Sequence, residues 1–131
     1  TPHYGEMAAL SGLSVEEIKA RPLAVAIEMA SRWSAVILLK GDKSYVASPD
    51  GESLVYSDGC VGLGTGGSGD VLAGLIGGLA ARGAPALRAA AWGAWVHGRA
   101  GRTLTKVIGE VGFLARELVP LIPEIIDGEL Q

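Results

Sequence analysis

At 131 residues, with nearly half of them apolar and about a fifth charged, the chain is long enough for one packed domain and too short for two. Its net charge of −3 argues against a nucleic-acid or membrane-surface partner. The single cysteine, Cys60, excludes an internal disulfide framework and a cysteine-built zinc site, and suits a reducing, cytoplasmic setting.

No basic-then-apolar leader stands at the start, and the opening at Thr1 reads as mid-domain sequence. Gly5 to Leu13 has helical character. Ser14-Val15-Glu16-Glu17 has the form of a capping box, with Ser14 accepting from the Glu17 N–H and the Glu17 carboxylate reaching back. Pro22 is expected to end that short helix and to open the next one at its first turn, running to about Trp33. Ala35 to Leu39 is a continuous apolar run, too short for a helix, and reads as a strand buried on both faces as in a parallel sheet. A polar turn, Lys40 to Lys43, leads to two short strands, Ser44 to Ala47 and Ser53 to Tyr56, joined as a hairpin around Pro49-Asp50-Gly51.

Helical spacing returns from Asp70 to Ala81 and again, after Gly83-Ala84-Pro85, from Ala86 to Thr103. The longest apolar stretch, Val71 to Ala81, falls well short of the ~20 residues that span a bilayer. A last helix, about Phe113 to Leu118, is expected to run into a proline-punctuated tail. Strands alternating with helices place the chain in the α/β class. The tryptophans Trp92 and Trp95 read as core or interface, and His97 beside them as a buried hydrogen-bonding residue.

Between the hairpin and the following helix, six of the twenty glycines fall within Gly59 to Gly69. A helix N-terminus leaves backbone N–H groups unpaired and carries partial positive charge. Glycines let an anion approach those groups, so Gly66, Gly67, Ser68 and Gly69 form a candidate phosphate cradle. Gly64 to Gly69 satisfies the dinucleotide pattern G-x-G-x-x-G only formally, since no acid occurs between Asp70 and Glu110, where the ribose-binding one should stand. The P-loop pattern is absent, because no glycine is followed by Lys-Ser/Thr in frame. Asp70, directly after the glycines, would sit in the first helical turn beside bound phosphate. There it could take the proton of an acceptor hydroxyl, as phosphoryl transfer requires. From Val71 to Gly109 no acidic residue occurs, while five basic residues do, a distribution that reads first as helix-surface solubility and second as a positive field for an anionic ligand.

Gly66-Gly67-Ser68-Gly69-Asp70-Val71-Leu72-Ala73-Gly74 resembles the signature of the NAD(P)H-hydrate dehydratases, a branch of the ribokinase-like superfamily. Thr1-Pro2-His3-Tyr4-Gly5-Glu6-Met7, Leu39-Lys40-Gly41 and His97-Gly98 are similar to further segments of that family, in order and spacing. The resemblance implies one partial domain over residues 1–131. It would be the C-terminal half of a ribokinase-like three-layer fold, with a central, mostly parallel sheet carrying a hairpin and flanked by helices. It implies repair of hydrated NADH or NADPH: the added hydroxyl is phosphorylated at the expense of ADP (ATP in some members), and phosphate is then eliminated. Asp70 would be catalytic, and His3 and Asp70 would contact the hydrated nicotinamide. Lys40, Gly41, Asp42, Lys43, Ser44 and Gly69 would line the adenine-nucleotide site, with Mg²⁺ on the phosphates and no dedicated protein metal cluster.

Two departures from the family pattern carry expectations. Tyr4 stands where the family has proline, which is expected to loosen the loop that presents His3. Gly59-Cys60-Val61-Gly62 stands where the family has Gly-Asn-Pro-Gly, which is expected to make that loop less rigid; Cys60 itself reads as a small packed residue. The family fold is about twice this length, so a sheet edge and an apolar helix face are expected to lie uncovered. These would pair with a missing N-terminal half or a second copy. Two readings outside the dehydratase remain open on the residues alone: a non-catalytic nucleotide-binding or assembly module, and a kinase for a small heterocycle.

Overall fold

Leu38 and Leu39 sit in different cores, and that split organises the molecule. Successive side chains of a strand leave opposite faces, so the apolar run forms a strand, β1 (Ile37–Lys40), that is buried on both sides. The computed structural model describes residues 1–129. Ahead of β1 stand α1 (Tyr4–Ser11), α2 (Val15–Ala20) and α3 (Pro22–Trp33). After it come β2 (Ser44–Ala47), β3 (Ser53–Tyr56), α4 (Ser68–Ala81), α5 (Ala86–Ile108), α6 (Ala115–Leu118) and α7 (Ile122–Glu129). Short 3₁₀ turns lie at Val61–Gly64 and Val119–Leu121.

The three strands form one sheet in the order β1-β2-β3, and both pairs are antiparallel. The α/β class therefore holds, but the mostly parallel pairing expected for the sheet does not hold within this chain. Its parallel element is a single bridge from His3 to Lys40 on the outer side of β1. Burial on both faces reports cover by helices, and helices can cover an antiparallel meander as well as a parallel sheet.

On one face, Ile37, Leu39 and Ala47 pack with Met7, Ile18, Val25 and Met29 of the first three helices. On the other, Leu38 and Val46, opposite one another in register, pack with Leu72 of α4 and Leu87, Ala90 and Ala94 of α5. A third cluster, with Ala100, Leu104, Phe113 and Leu118 at its centre, closes the far end of α5 against α6 and takes in Cys60 and Leu63. Cys60 is thus a small packed residue, as its apolar context predicts. The outer strand β3 leaves Leu54 and Val55 exposed.

Local chemistry fixes several boundaries. Ser14 accepts from the Glu17 N–H at 3.2 Å while the Glu17 carboxylate accepts from the Ser14 N–H at 2.8 Å. Pro22 opens α3 at its first position, where a missing N–H costs nothing. Ser14→Ala is expected to lower stability by about 1 kcal/mol, read as a lower urea midpoint at unchanged slope. An unchanged midpoint would mean that packing of Ile18, not the cap, holds α2.

Candidate functional site

The glycine loop ends where the sequence places it, at a helix N-terminus. Gly67 is the N-cap of α4, with φ of 87°. That left-handed conformation suits glycine, and a Cβ there would also lie 3.3 Å from the Ala115 Cβ. The Ser68 N–H is taken by the Thr65 carbonyl at 3.2 Å and the Asp70 N–H by the Gly67 carbonyl at 3.1 Å. The Gly69 N–H has no partner among the described residues. One donor of the first turn is therefore open for an anion.

Lys40, the last residue of β1, faces this turn. Its Nζ lies 3.2 Å from where a Cβ on Gly69 would stand and 3.9 Å from Glu6 Oε2. A fixed ammonium and a helix N-terminus thus converge on one small volume, the electrostatic arrangement that phosphate binding calls for. Asp70 lies one residue further on in the first turn of α4, with its side chain exposed.

These groups line a cavity of about 830 Å³. Of the residues singled out from the sequence, His3, Lys40, Gly41, Asp42, Ser44, Gly67, Ser68, Gly69 and Asp70 border it. Lys43 and Gly66 do not border it and are exposed. The Ser68 side chain turns inward, its Oγ 3.0 Å from His97 Nε2 in a buried pair, so with its N–H already taken by Thr65 Ser68 shapes the cradle rather than donating to a ligand. Burial holds the His97 imidazole below its ordinary pKa, which favours the neutral ring. The buried hydrogen-bonding role read for His97 is thus the one the structure gives it.

His3 is the N-cap of α1. Its Nδ1 accepts from the Glu6 N–H at 3.1 Å, and the Glu6 carboxylate accepts from the His3 N–H at 2.7 Å. A neutral ring that accepts at Nδ1 carries its proton on Nε2, so the cap fixes which nitrogen can donate. The His3 N–H above all, and then the Lys40 ammonium, hold the Glu6 carboxyl below its usual range. Glu6, Thr65 and Tyr56 also border the cavity and were not singled out from the sequence. The spacing of His3 and Glu6 was a usable signal for Glu6, since it is that of a capping box. Thr65 comes to the site with the glycine loop it belongs to, whereas Tyr56 reaches it through tertiary packing that no local pattern encodes.

Both departures turn out to be held in place. The ring of Tyr4 occupies the space a Cβ on Gly41 would need, and its hydroxyl donates to Asp42 Oδ1 at 3.2 Å. The segment presenting His3 is therefore tied down rather than loosened at this position. In the loop after β3, the Tyr56 hydroxyl donates to the Asp58 carbonyl at 2.8 Å and Arg102 pairs with the Asp58 carboxylate. Gly62 is buried beneath Phe113. These contacts supply the constraint that a proline would otherwise give.

Among the described residues, no three acidic, histidine or cysteine side chains cluster as a metal cage. No helix among the described residues is long and apolar enough to cross a membrane.

The family model for NAD(P)H-hydrate dehydratase matches residues 1–124. The chain is 54% identical over 127 residues to the ADP-dependent (S)-NAD(P)H-hydrate dehydratase of Xanthomonas campestris, covering 97% of this chain and 44% of that protein. It is 41% identical to the bifunctional NAD(P)H-hydrate repair enzyme of Moorella thermoacetica, covering 96% of this chain and 24% of that one. Its structure matches the ADP/ATP-dependent NAD(P)H-hydrate dehydratase of Bacillus subtilis, co-crystallised with ATP and Mg²⁺. The TM-score is 0.92 at 30% identity, over 97% of this chain and 46% of the other. The chain thus spans less than half the length of these relatives, and over that span it has their fold.

Proposed function

This chain belongs to the NAD(P)H-hydrate dehydratase family, and from that membership we propose that its cavity binds ADP and serves the repair of hydrated NADH or NADPH. The observation that carries this reading is the convergence of three groups on one cavity: the open N–H of Gly69, the Lys40 ammonium and the Asp70 carboxylate. The first two provide fixed positive potential for phosphate, and the third provides a proton acceptor.

In the proposed reaction the Asp70 carboxylate takes the proton of the substrate's added hydroxyl. The hydroxyl oxygen attacks the terminal phosphorus of ADP, and the bond to the bridging oxygen breaks to release AMP. Loss of the new phosphate with a ring proton then restores the double bond, so the products are NAD(P)H, AMP and phosphate. His3 would contribute the Nε2 donor that its cap fixes, now 3.6 Å from Glu6 Oε1, to the nicotinamide end. Lys40, Gly41, Asp42 and Ser44 border the nucleotide end, with Gly67 and Gly69 under the phosphates. Lys43 and Gly66, set back from the cavity, would act at most through the neighbouring main chain.

The cavity fits a divalent cation bound chiefly by phosphate, with Asp70 among the carboxylates on its wall that could complete the coordination. Mg²⁺ so held neutralises phosphate charge. The outer side of β1 ahead of Lys40, where the Pro2–His3 segment bridges it, and the apolar groove of Val36, Leu38, Ile76, Ala80 and Ala90 are where we place pairing. The partner would be the remainder of such a domain or a second copy. The single free thiol fits the cytoplasm as the working compartment.

Calorimetric titration with ADP, with and without Mg²⁺, tests the reading. Saturable binding that strengthens with Mg²⁺, together with ADP-dependent formation of NADPH from its hydrate, is the expected result. No heat of binding at millimolar ADP would remove the nucleotide from this cavity.

A further inference from the structure

The turn that follows β1 is exposed at Gly41, Asp42 and Lys43, and exposed polar turns are ordinarily mobile. This one is gripped from outside by Tyr4, the first residue of α1. The ring lies across Gly41, filling the space a Cβ would take, and the hydroxyl donates to Asp42 Oδ1 at 3.2 Å. Burial first, and then the Asp42 carboxylate, push the Tyr4 pKa up to about 12, so the phenol keeps its donor proton at ordinary assay pH. The attachment of β1 to the N-terminal segment does not depend on this grip. The Lys40 N–H bonds to the Pro2 carbonyl at 2.8 Å as part of the parallel bridge between His3 and Lys40. What the Tyr4 hydroxyl adds is confined to the turn at the cavity wall.

We propose that Tyr4 is a positioning residue for the nucleotide side of the cavity, clamping Gly41 and Asp42 so that the turn is preformed for its ligand. The inference rests on the proposed reading of the cavity as an ADP site. A preformed wall saves the ligand the cost of ordering a loop on binding. Because Tyr4 adjoins His3 in α1, the same residue links the two ends of the cavity through one short helix.

The test is ADP titration of the wild-type chain, Tyr4→Phe, Asp42→Ala and the double variant, alongside thermal unfolding of each. Tyr4→Phe keeps the ring over Gly41 and deletes only the donor. It is expected to weaken ADP binding about three- to tenfold, the range for one hydrogen bond, at an unchanged unfolding midpoint. In the Asp42→Ala background the same change is expected to cost nothing further, since the hydroxyl acts through Asp42. Amide exchange at Gly41 and Asp42 is expected to quicken in Tyr4→Phe without ligand, a response that a purely packing role for the ring would not give. Wild-type affinity in Tyr4→Phe, or a loss that adds in full to that of Asp42→Ala, overturns the clamp while leaving the nucleotide site intact. A wild-type chain that binds no ADP overturns the nucleotide reading, and the clamp's purpose with it.

Discussion

Asp70→Asn is expected to lower turnover by about 10²- to 10⁴-fold, the usual contribution of a positioned general base, while ADP still binds. The substitution is nearly isosteric and leaves the first turn of α4 in place, so the Gly69 N–H and the Lys40 ammonium keep their positions. What disappears is the group that accepts the hydroxyl proton. Removing a negative charge beside phosphate also relieves repulsion, so ADP affinity measured without Mg²⁺ is expected to hold or rise. The alternative role for Asp70, an acid that merely favours the positive end of its helix, predicts a different pattern. It gives a stability loss of about 0.3–1 kcal/mol and little change in turnover. Steady-state rates and calorimetry on the same preparations separate the two. Turnover within tenfold of wild type, with a lowered unfolding midpoint, would assign Asp70 to the helix and leave the reaction without its base.

Gly69→Val is expected to weaken ADP binding by about 10²-fold or more, from the loss of charge-assisted hydrogen bonds worth roughly 1.5–3 kcal/mol each. A Cβ at this position already lies 3.2 Å from the Lys40 Nζ. The branched side chain of valine would fill the space between the ammonium and the helix N-terminus. The fold has no reason to suffer, because valine is a better helix former than glycine. Affinity and stability should therefore move apart: weaker binding, with an equal or higher unfolding midpoint. Gly69→Ala is expected to fall between, with a smaller loss of affinity. A valine variant that binds ADP normally would mean the phosphates do not approach this N–H, and the cradle would have to be sought elsewhere on the cavity wall.

Where side chains and backbone speak locally, the sequence was sufficient. Pro49-Asp50-Gly51 marked the turn between β2 and β3, and both strands have the expected ends. The Ser14 and Glu17 box marked the start of α2. The strand expected from Ala35 begins at Ile37, because Ser34 adopts φ of 50° and the Ala35 N–H still bonds back to the Ala30 carbonyl. Apolar content cannot distinguish a helix cap from a strand. The helix from Ala86 was expected to stop at Thr103 but continues to Ile108, carried on by burial of Leu104 and ended at Gly109. The tail after Leu118 was read as proline-broken, yet α7 forms with Pro123 as its second residue, a place where no N–H is needed. At the site, the glycine loop and Asp70 were legible because a helix N-terminus is a local feature. Tyr56 was not, since it meets the cavity through folding of a distant segment, while Glu6 and Thr65 were passed over although a capping-box spacing and the glycine loop marked their positions. Lys43 and Gly66 were included by adjacency in sequence, and the chain direction at those points carries them away from the wall.

The cavity is also walled by two of the three cores and by the helix end that leads into the third. Its wall takes Leu72 and Ala94 from the cluster under α4 and α5, and Cys60 and Leu63 from the cluster at the far end. From the opposite side come His3 and Glu6, on the helix whose Met7 anchors the first cluster. Separate cores let a protein open in parts, each with its own free energy. A molecule seated among them touches every part at once, so its binding energy opposes each partial opening as well as the global one. ADP should then act as a rivet for the whole chain: amide protection rises in all three clusters together, and thermal melting sharpens into a single cooperative step.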